Sequence, residues 1–288
     1  MKSLSLLFSL FLALSATGQK KTGDFHLDKQ YTIGPTGTVK LKSSDADVLI
    51  TGSVTQKNAH VKIDRVVVTK GMTFEEEEFA IDVAEENGDL EIRERSNSRS
   101  VGVVGYHEEK YTILIEVPEG TSLLVRGDDG DYTIRNINGS ISLDLDDAGV
   151  ILSQCSGSKF EFRMDDGDIK MDEAKGSIEI TGDDSDIEIK NAHFTSLNAT
   201  VDDGDLVIET SLADNGEYLI DAQDGLIYFI VTKGGGKFDV RHDDGRISTE
   251  GNFSTEEKTD DRTKLSVGSG SAKVSIRADD ARVRLIQK

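Results

Sequence analysis

One cysteine, two prolines and no tryptophan occur in 288 residues. A single thiol, Cys155, excludes an internal disulfide, so stability must come from the core and from backbone ladders. The bland reading of Cys155 is a small side chain near a turn. So few prolines beside 28 glycines suit an all-β chain with many tight turns better than a helical one. Positive charge is also scarce, 33 Lys and Arg against 54 Asp and Glu, a formal charge of -21. That field repels nucleic-acid phosphates and anionic lipid, and leaves cations, basic proteins or neutral glycans as partners. Long apolar runs are absent after the first residues, so no later stretch is expected to span a membrane.

The beginning of the chain differs. Met1-Lys2-Ser3, the apolar run Leu4 to Ala16 and the small residues Ala16-Thr17-Gly18 read as a secretory signal peptide over residues 1–18. The protein is therefore expected to be exported: periplasmic, cell-surface or secreted. Residues 19–38 form a polar lead.

What the chain has in abundance is one template. Leu123 to Ile134 reads Leu-Leu-Val-Arg-Gly-Asp-Asp-Gly-Asp-Tyr-Thr-Ile. Apolar residues lie six and four places before Asp129 and three and five after it. The same register surrounds Asp45, Asp147, Asp166, Asp184, Asp203, Asp224, Asp244 and Asp280. From Asp129 to Asp244 the spacing stays between 18 and 21 residues, the signature of a stacked solenoid. A second turn recurs within the periods, as Asn138-Gly139-Ser140, Ser156-Gly157-Ser158 or Asn215-Gly216, and absorbs the length differences.

Parity explains the fixed acidic turn. Along one continuous strand, positions four before and three after the aspartate point to opposite faces. Both are apolar here, so the turn must reverse the facing once, as a corner does. One inserted residue would expose an arm's apolar set, at about 1.5–3 kcal/mol per large side chain. The expected fold is an all-β, parallel β-solenoid (a β-helix) with 18–21 residues per coil, right-handed by the usual crossover rule. It is favoured over an antiparallel meander, which has no reason to repeat one strand length and one turn chemistry.

Residues 39–122 hold the first unit and then an excursion from Thr51 to Thr121. Its period-2 runs and the Asn87-Gly88 hairpin dipeptide predict a hairpin-rich cap or side sheet. Arg93 to Lys110 is expected to be a mobile loop, and Glu75 to Glu78 a solvated flank. Residues 123–288 are expected to be contiguous coils with a polar loop near 252–262. The positions three and five past Asp261 are Lys264 and Ser266, which rejects a tenth corner there. Charges on the last strand, Arg282, Arg284 and Lys288, are expected to discourage edge-to-edge pairing.

No candidate catalytic set emerges. The five histidines are scattered, and no Gly-x-Ser-x-Gly, Walker or dinucleotide motif occurs. Carboxylates are plentiful, but catalysis needs one pair with separated pKa values in a cleft. The expected protein is not an enzyme and needs no cofactor. If coils stack in register, Asp129, Asp147, Asp166, Asp184, Asp203, Asp224 and Asp244 form an acidic ladder. Bonding to turn N–H groups would offset its repulsion, and Ca²⁺ bridging neighbouring turns is the sharper alternative. Against calcium, Gly130-Asp131 and Gly167-Asp168 are adjacent, whereas the calcium-binding solenoid nonapeptide separates them by one residue. The second candidate is an outward apolar strip, Leu226, Tyr228 and Ile230, which either lies under the excursion or meets a partner.

The recurring Gly-Asp-Asp-Gly-Asp, the alternating apolar strands, Val117-Pro118-Glu119-Gly120 before the repeat and the leader resemble the bacterial putative-adhesin family, a domain-of-unknown-function β-solenoid. The resemblance covers roughly residues 35–288. It implies a non-enzymatic, adhesin-like or scaffolding module of the cell envelope or surface with a protein or glycan partner. Alternatives are a periplasmic accessory protein of an envelope-stress or signalling system, and a calcium-stabilised structural solenoid.

Overall fold

The computed structural model describes residues 24–74, 79–96, 102–243 and 246–288, which form twenty β-strands and no helix. The leader, the run Glu75 to Glu78 and Asp244 lie outside the described residues.

The repeat begins with β8 (Ser122–Arg135), β9 (Ile141–Ser153), β10 (Ser156–Asp172) and β11 (Lys175–Asp203). Each runs unbroken through the acidic corner, and each lies parallel to the next. Leu123 pairs with Ile141, Ile141 with Phe160 and Phe160 with Ile178, steps of 18, 19 and 18 residues. The parity argument holds residue by residue. In β8 the buried positions are 123, 125 and 127 before the corner and 132 and 134 after it. The two arms of each coil thus build two sheets that share one apolar core. A third inward position, two before the aspartate, escaped the template because its occupants vary: Ser43, Gly127, Leu145, Met164, Gly182 and Val201.

The excursion is a cap that extends both sheets at one end. The first coil, β2 (Thr38–Ser43) and β3 (Asp47–Ser53), stacks directly on β8 across the 70-residue gap. β7 (Gly102–Pro118) then adds parallel to β3, β4 (Ala59–Phe74) antiparallel to β7, and β1 (Phe25–Tyr31) antiparallel to β4. On the other sheet β6 (Asp89–Ser96) pairs with β2, and β5 (Phe79–Glu86) closes a hairpin at Asn87-Gly88, whose φ angles of 53° and 87° are the positive pair that such a turn requires. The lead therefore contains a strand. The described part of the loop expected at 93–110 is strand as well, because β6 and β7 extend into it.

The other end departs furthest from expectation. After β12 (Leu206–Ser211), β13 (Glu217–Ala222) and β14 (Leu226–Lys233), the chain skips one place and lays down β15 (Gly236–His242) and β16 (Ile247–Glu250). β19 (Ala272–Ala278) and β20 (Arg282–Gln287) return to fill the gap. β19 pairs with both β13 and β15, and β20 with both β14 and β16. The last coil in sequence is thus internal, and its charges do not guard an edge. Phe253–Lys258 is strand β17 rather than part of a polar loop, and it forms an antiparallel hairpin with β18 (Arg262–Val267) on the β15 edge. Thr263, Leu265 and Val267 face inward there, so Asp261 sits in a hairpin and not in a corner.

Candidate functional site

Asp129, Asp147, Asp166 and Asp184 stand opposite one another on consecutive strands, so the acidic ladder exists as a backbone feature. Asp224 continues it through its N–H, which donates to the Asp202 carbonyl at 3.1 Å. Crowding shows in the titration. Partial loss of water, then repulsion from Asp224 and Asp184, raises the Asp203 carboxyl above its ordinary value, and Asp146 is raised in the same way. Asp45 is raised by burial and then by Asp129 and Glu94.

The N–H groups that offset this repulsion are not met by the second aspartates. The Asp205 N–H donates to Asp186 Oδ1 at 2.8 Å, and the Leu226 N–H to Asp205 Oδ1 at 3.0 Å. The third aspartate of the motif, as Asp186 and Asp205, therefore ties its coil to the next, a role invisible within one repeat. The small residue between also differs from coil to coil. Gly130, Gly167 and Gly204 have φ near 120–140°, while Ala46, Ala148 and Ser185 are buried and lie between them in the stack. A β-carbon on Gly167 would lie 2.2 Å from the Ala148 carbonyl oxygen. From Ala46 to Gly204 two corner forms therefore alternate, one with the left-handed backbone that glycine tolerates and one with a small inward side chain, and Gly225, at φ 99°, breaks the order by following Gly204.

Around the ladder, Gly167, Asp168, Asp184, Asp186, Asp203 and Gly204 line an open depression. Among the described residues no three or more His, Cys, Asp or Glu side chains gather closely enough to hold a metal ion.

At the capped end of the ladder lies a cluster the sequence reading missed. Arg65, 3% exposed, holds Glu109 through two guanidinium nitrogens at 2.5 and 3.0 Å. Its guanidinium also lies 4.2 Å from the centroid of the Phe79 ring. Phe79 meets Phe25 and Tyr111 edge-on at 5.6 and 5.3 Å. Glu94 accepts from the Ser44 N–H and hydroxyl at 2.9 and 2.6 Å. Burial and the neighbouring Glu94 push the Tyr111 phenol well above its ordinary value. The one available signal was Arg65 at an inward position of an alternating strand.

Leu226, Tyr228 and Ile230 point outward and are half-buried, alternating with buried Ile227, Phe229 and Val231. The excursion does not cover them, since it caps the distant end. Tyr228 has Val207 on one side and Arg284 on the other, while Ile230 lies between Glu209 and Ile286. The Arg284 guanidinium lies 5.7 Å from the Tyr228 ring centroid and also reaches Glu250 at 2.8 Å. Tyr228 belongs to a lateral row that runs Leu114, Leu49, Thr133, Ile151, Lys170, Glu188, Val207, Tyr228, Arg284 across the sheet. Cys155 is buried in a second turn, where burial raises its thiol pKa.

A two-sheet parallel β-solenoid with a repeated acidic corner is the class this geometry defines. The Toastrack family model, DUF4097, matches residues 69–285, and the chain belongs to that family. The first coil, residues 38–53, precedes the matched stretch yet stacks on it. Among solved structures, a putative adhesin from Bacteroides fragilis is 13% identical, with a TM-score of 0.50, over 91% of this chain and 97% of its own. A putative cell adhesion protein from Clostridium sporogenes is 15% identical over 92% and 100%, TM-score 0.32. A putative lipid binding protein from Parabacteroides distasonis is 12% identical over 90% and 96%, TM-score 0.40. At such identities the likeness is one of fold. A comparison with curated proteins finds no match. No helix among the described residues is long and apolar enough to cross a membrane.

Proposed function

We propose that this chain is an exported, non-enzymatic β-solenoid that presents its outer sheet faces to a protein or glycan partner at the cell envelope or surface, as an adhesin-like or scaffolding module. The observation that carries this reading is the lateral row that passes through Tyr228 and Arg284. It gives one flat face a continuous line of side chains at strand spacing, with Ile151 48% exposed. Leu219, also 48% exposed, adds an apolar point on the other sheet. Flat, repeated surfaces suit extended partners, whereas small-molecule chemistry calls for a concave site. Export rests on the leader at residues 1–18, and the Bacteroides fragilis neighbour's description agrees with the reading.

The test is attachment of cells or beads displaying the chain to immobilised matrix proteins and glycans. Tyr228→Asp, Ile151→Asp and Leu219→Asp should reduce attachment while leaving the circular dichroism spectrum unchanged. Attachment equal to the parent in all three would refute the reading.

A further inference from the structure

The place where the chain skips a coil is a strand slot, and its occupant is charge-matched to one of its two walls. Every earlier step of the contiguous repeat puts each arm beside its predecessor in sequence. Between β14 and β15 the chain instead crosses two strand spacings, about 10 Å, through Gly234-Gly235-Gly236. No pairing joins β13 to β15 or β14 to β16 directly. β15 and β16 are tied to the rest of the stack by β19 and β20.

The β13 wall of the slot is acidic and the coil that fills it is basic, whereas the β15 wall sets Lys237 beside Lys273 and Arg241 beside Arg277. Lys273 reaches Glu217 at 3.5 Å and Arg277 reaches Asp221 at 3.2 Å, both on β13. Arg284 reaches Glu250 on β16 at 2.8 Å, and Lys288 reaches Glu209 on β12 at 2.7 Å. The incoming coil arrives through Gly268-Ser269-Gly270-Ser271, which crosses the triple-glycine connection. A β-carbon on Gly270 would lie 2.0 Å from the Gly235 carbonyl oxygen, and one on Gly235 2.5 Å from that of Val267. Two glycine tracts thus cross where no side chain fits, and either can open as a hinge.

We propose that Ala272–Gln287 is an exchangeable donor coil and that its partner is a second copy of this chain: two copies trade this coil, each filling the other's slot. The exchanged dimer keeps every ladder bond and ion pair of the slot and changes only the hinge, the condition under which swapping costs little.

The test uses the full chain carrying Ile230→Cys and Ile286→Cys. These positions are Cα partners on β14 and β20 and both face outward, at a separation a disulfide spans. Cys155 is buried and does not compete. The reduced protein is incubated concentrated and warm, diluted a hundredfold, oxidised and run on a non-reducing gel. Exchange gives a covalent dimer whose yield rises with the concentration before dilution. An excess of a synthetic peptide of residues 271–288 suppresses it, while the same peptide with the inward Val274, Ile276, Val283 and Leu285 replaced by Asp does not. Monomer alone at every concentration, or a dimer yield that both peptides leave unchanged, overturns the proposal. If the double variant fails to fold, uptake of the fluorescent peptide by the unaltered chain decides: binding lost on the inward replacements supports exchange, and absence of binding overturns it.

Discussion

The phenol oxygen of Tyr132 lies 1.9 Å from where a β-carbon on Gly127 would sit, five residues back across the same acidic corner. The two arms of this coil therefore fit by exchange of volume. Tyr132 fills the corner that Leu145 and Met164 fill from the first arm in the next two coils, and its hydroxyl lies 3.2 Å from the buried Ser43 hydroxyl. Gly127→Ala should destabilise by about 1–3 kcal/mol, the usual cost of overpacking. Urea unfolding of the double variant with Tyr132→Phe should recover part of that loss, since the oxygen in the way is gone.

The buried Arg65 and Glu109 pair anchors the cap. Removing Glu109 takes a two-point, charge-assisted hydrogen bond from a buried guanidinium, at about 1.5–3 kcal/mol. Glu109→Leu is expected to fall near the lower bound, because the Glu109 side chain is 28% exposed. Differential scanning calorimetry should show the loss, and a change within error would show that the pair contributes little.

Repulsion along the acidic edge gives a sign for pH. Asp203 is raised in the folded protein, so the folded state holds its proton more tightly than the unfolded one. Its share of stability is full below the unfolded carboxylate value and is lost as pH rises through the raised folded value. Asp203→Asn should therefore raise Tm at pH 7, by an amount that shrinks with added salt and vanishes in acid. A lower Tm at pH 7 would show that the carboxylate is held by favourable bonds instead.

His60 shifts stability with pH in the same sense as Asp203, through attraction instead of repulsion. It sits on β4 with Asp28 of β1 at 2.7 Å and Glu116 of β7 at 3.4 Å, and Lys62 and Asp64 lie nearby on its own strand. The bond to Asp28, against a small burial cost, raises its imidazole above the ordinary value. The contribution is complete below the unfolded histidine value and disappears as pH climbs through the raised one. Amide exchange in Phe25–Tyr31, corrected for intrinsic rate, should be slower at pH 6 than at pH 8.5, and His60→Gln should reduce the difference, with His26 and Asp64 still joining the same two strands at 3.0 Å.

Calcium bridging predicts a large, specific stabilisation, about 2.7 kcal/mol at a hundred times the dissociation constant. The described carboxylates do not converge in threes, so Tm should be equal in Ca²⁺, Mg²⁺ and chelator at fixed ionic strength. A calcium-specific rise would restore the ladder as a metal site.

The sequence by itself determined the coil. Apolar residues at fixed offsets from Asp129, with a parity that breaks once, dictate two inward arms joined by a corner, because side-chain facing along a strand is local and has period two. It also marked the acidic edge and the outward placement of Leu226, Tyr228 and Ile230. Which coil neighbours which was a matter for the tertiary structure. A template repeated nearly unchanged carries no address, so nothing local says that the coil at Asp280 lies between those at Asp224 and Asp244. That order follows from pairings between distant segments: Lys273 and Arg277 against Glu217 and Asp221, and two glycine tracts crossing where a side chain would collide. The third aspartate's bond to the following coil and the burial of Arg65 belong to the same kind, because each requires a partner that only stacking supplies.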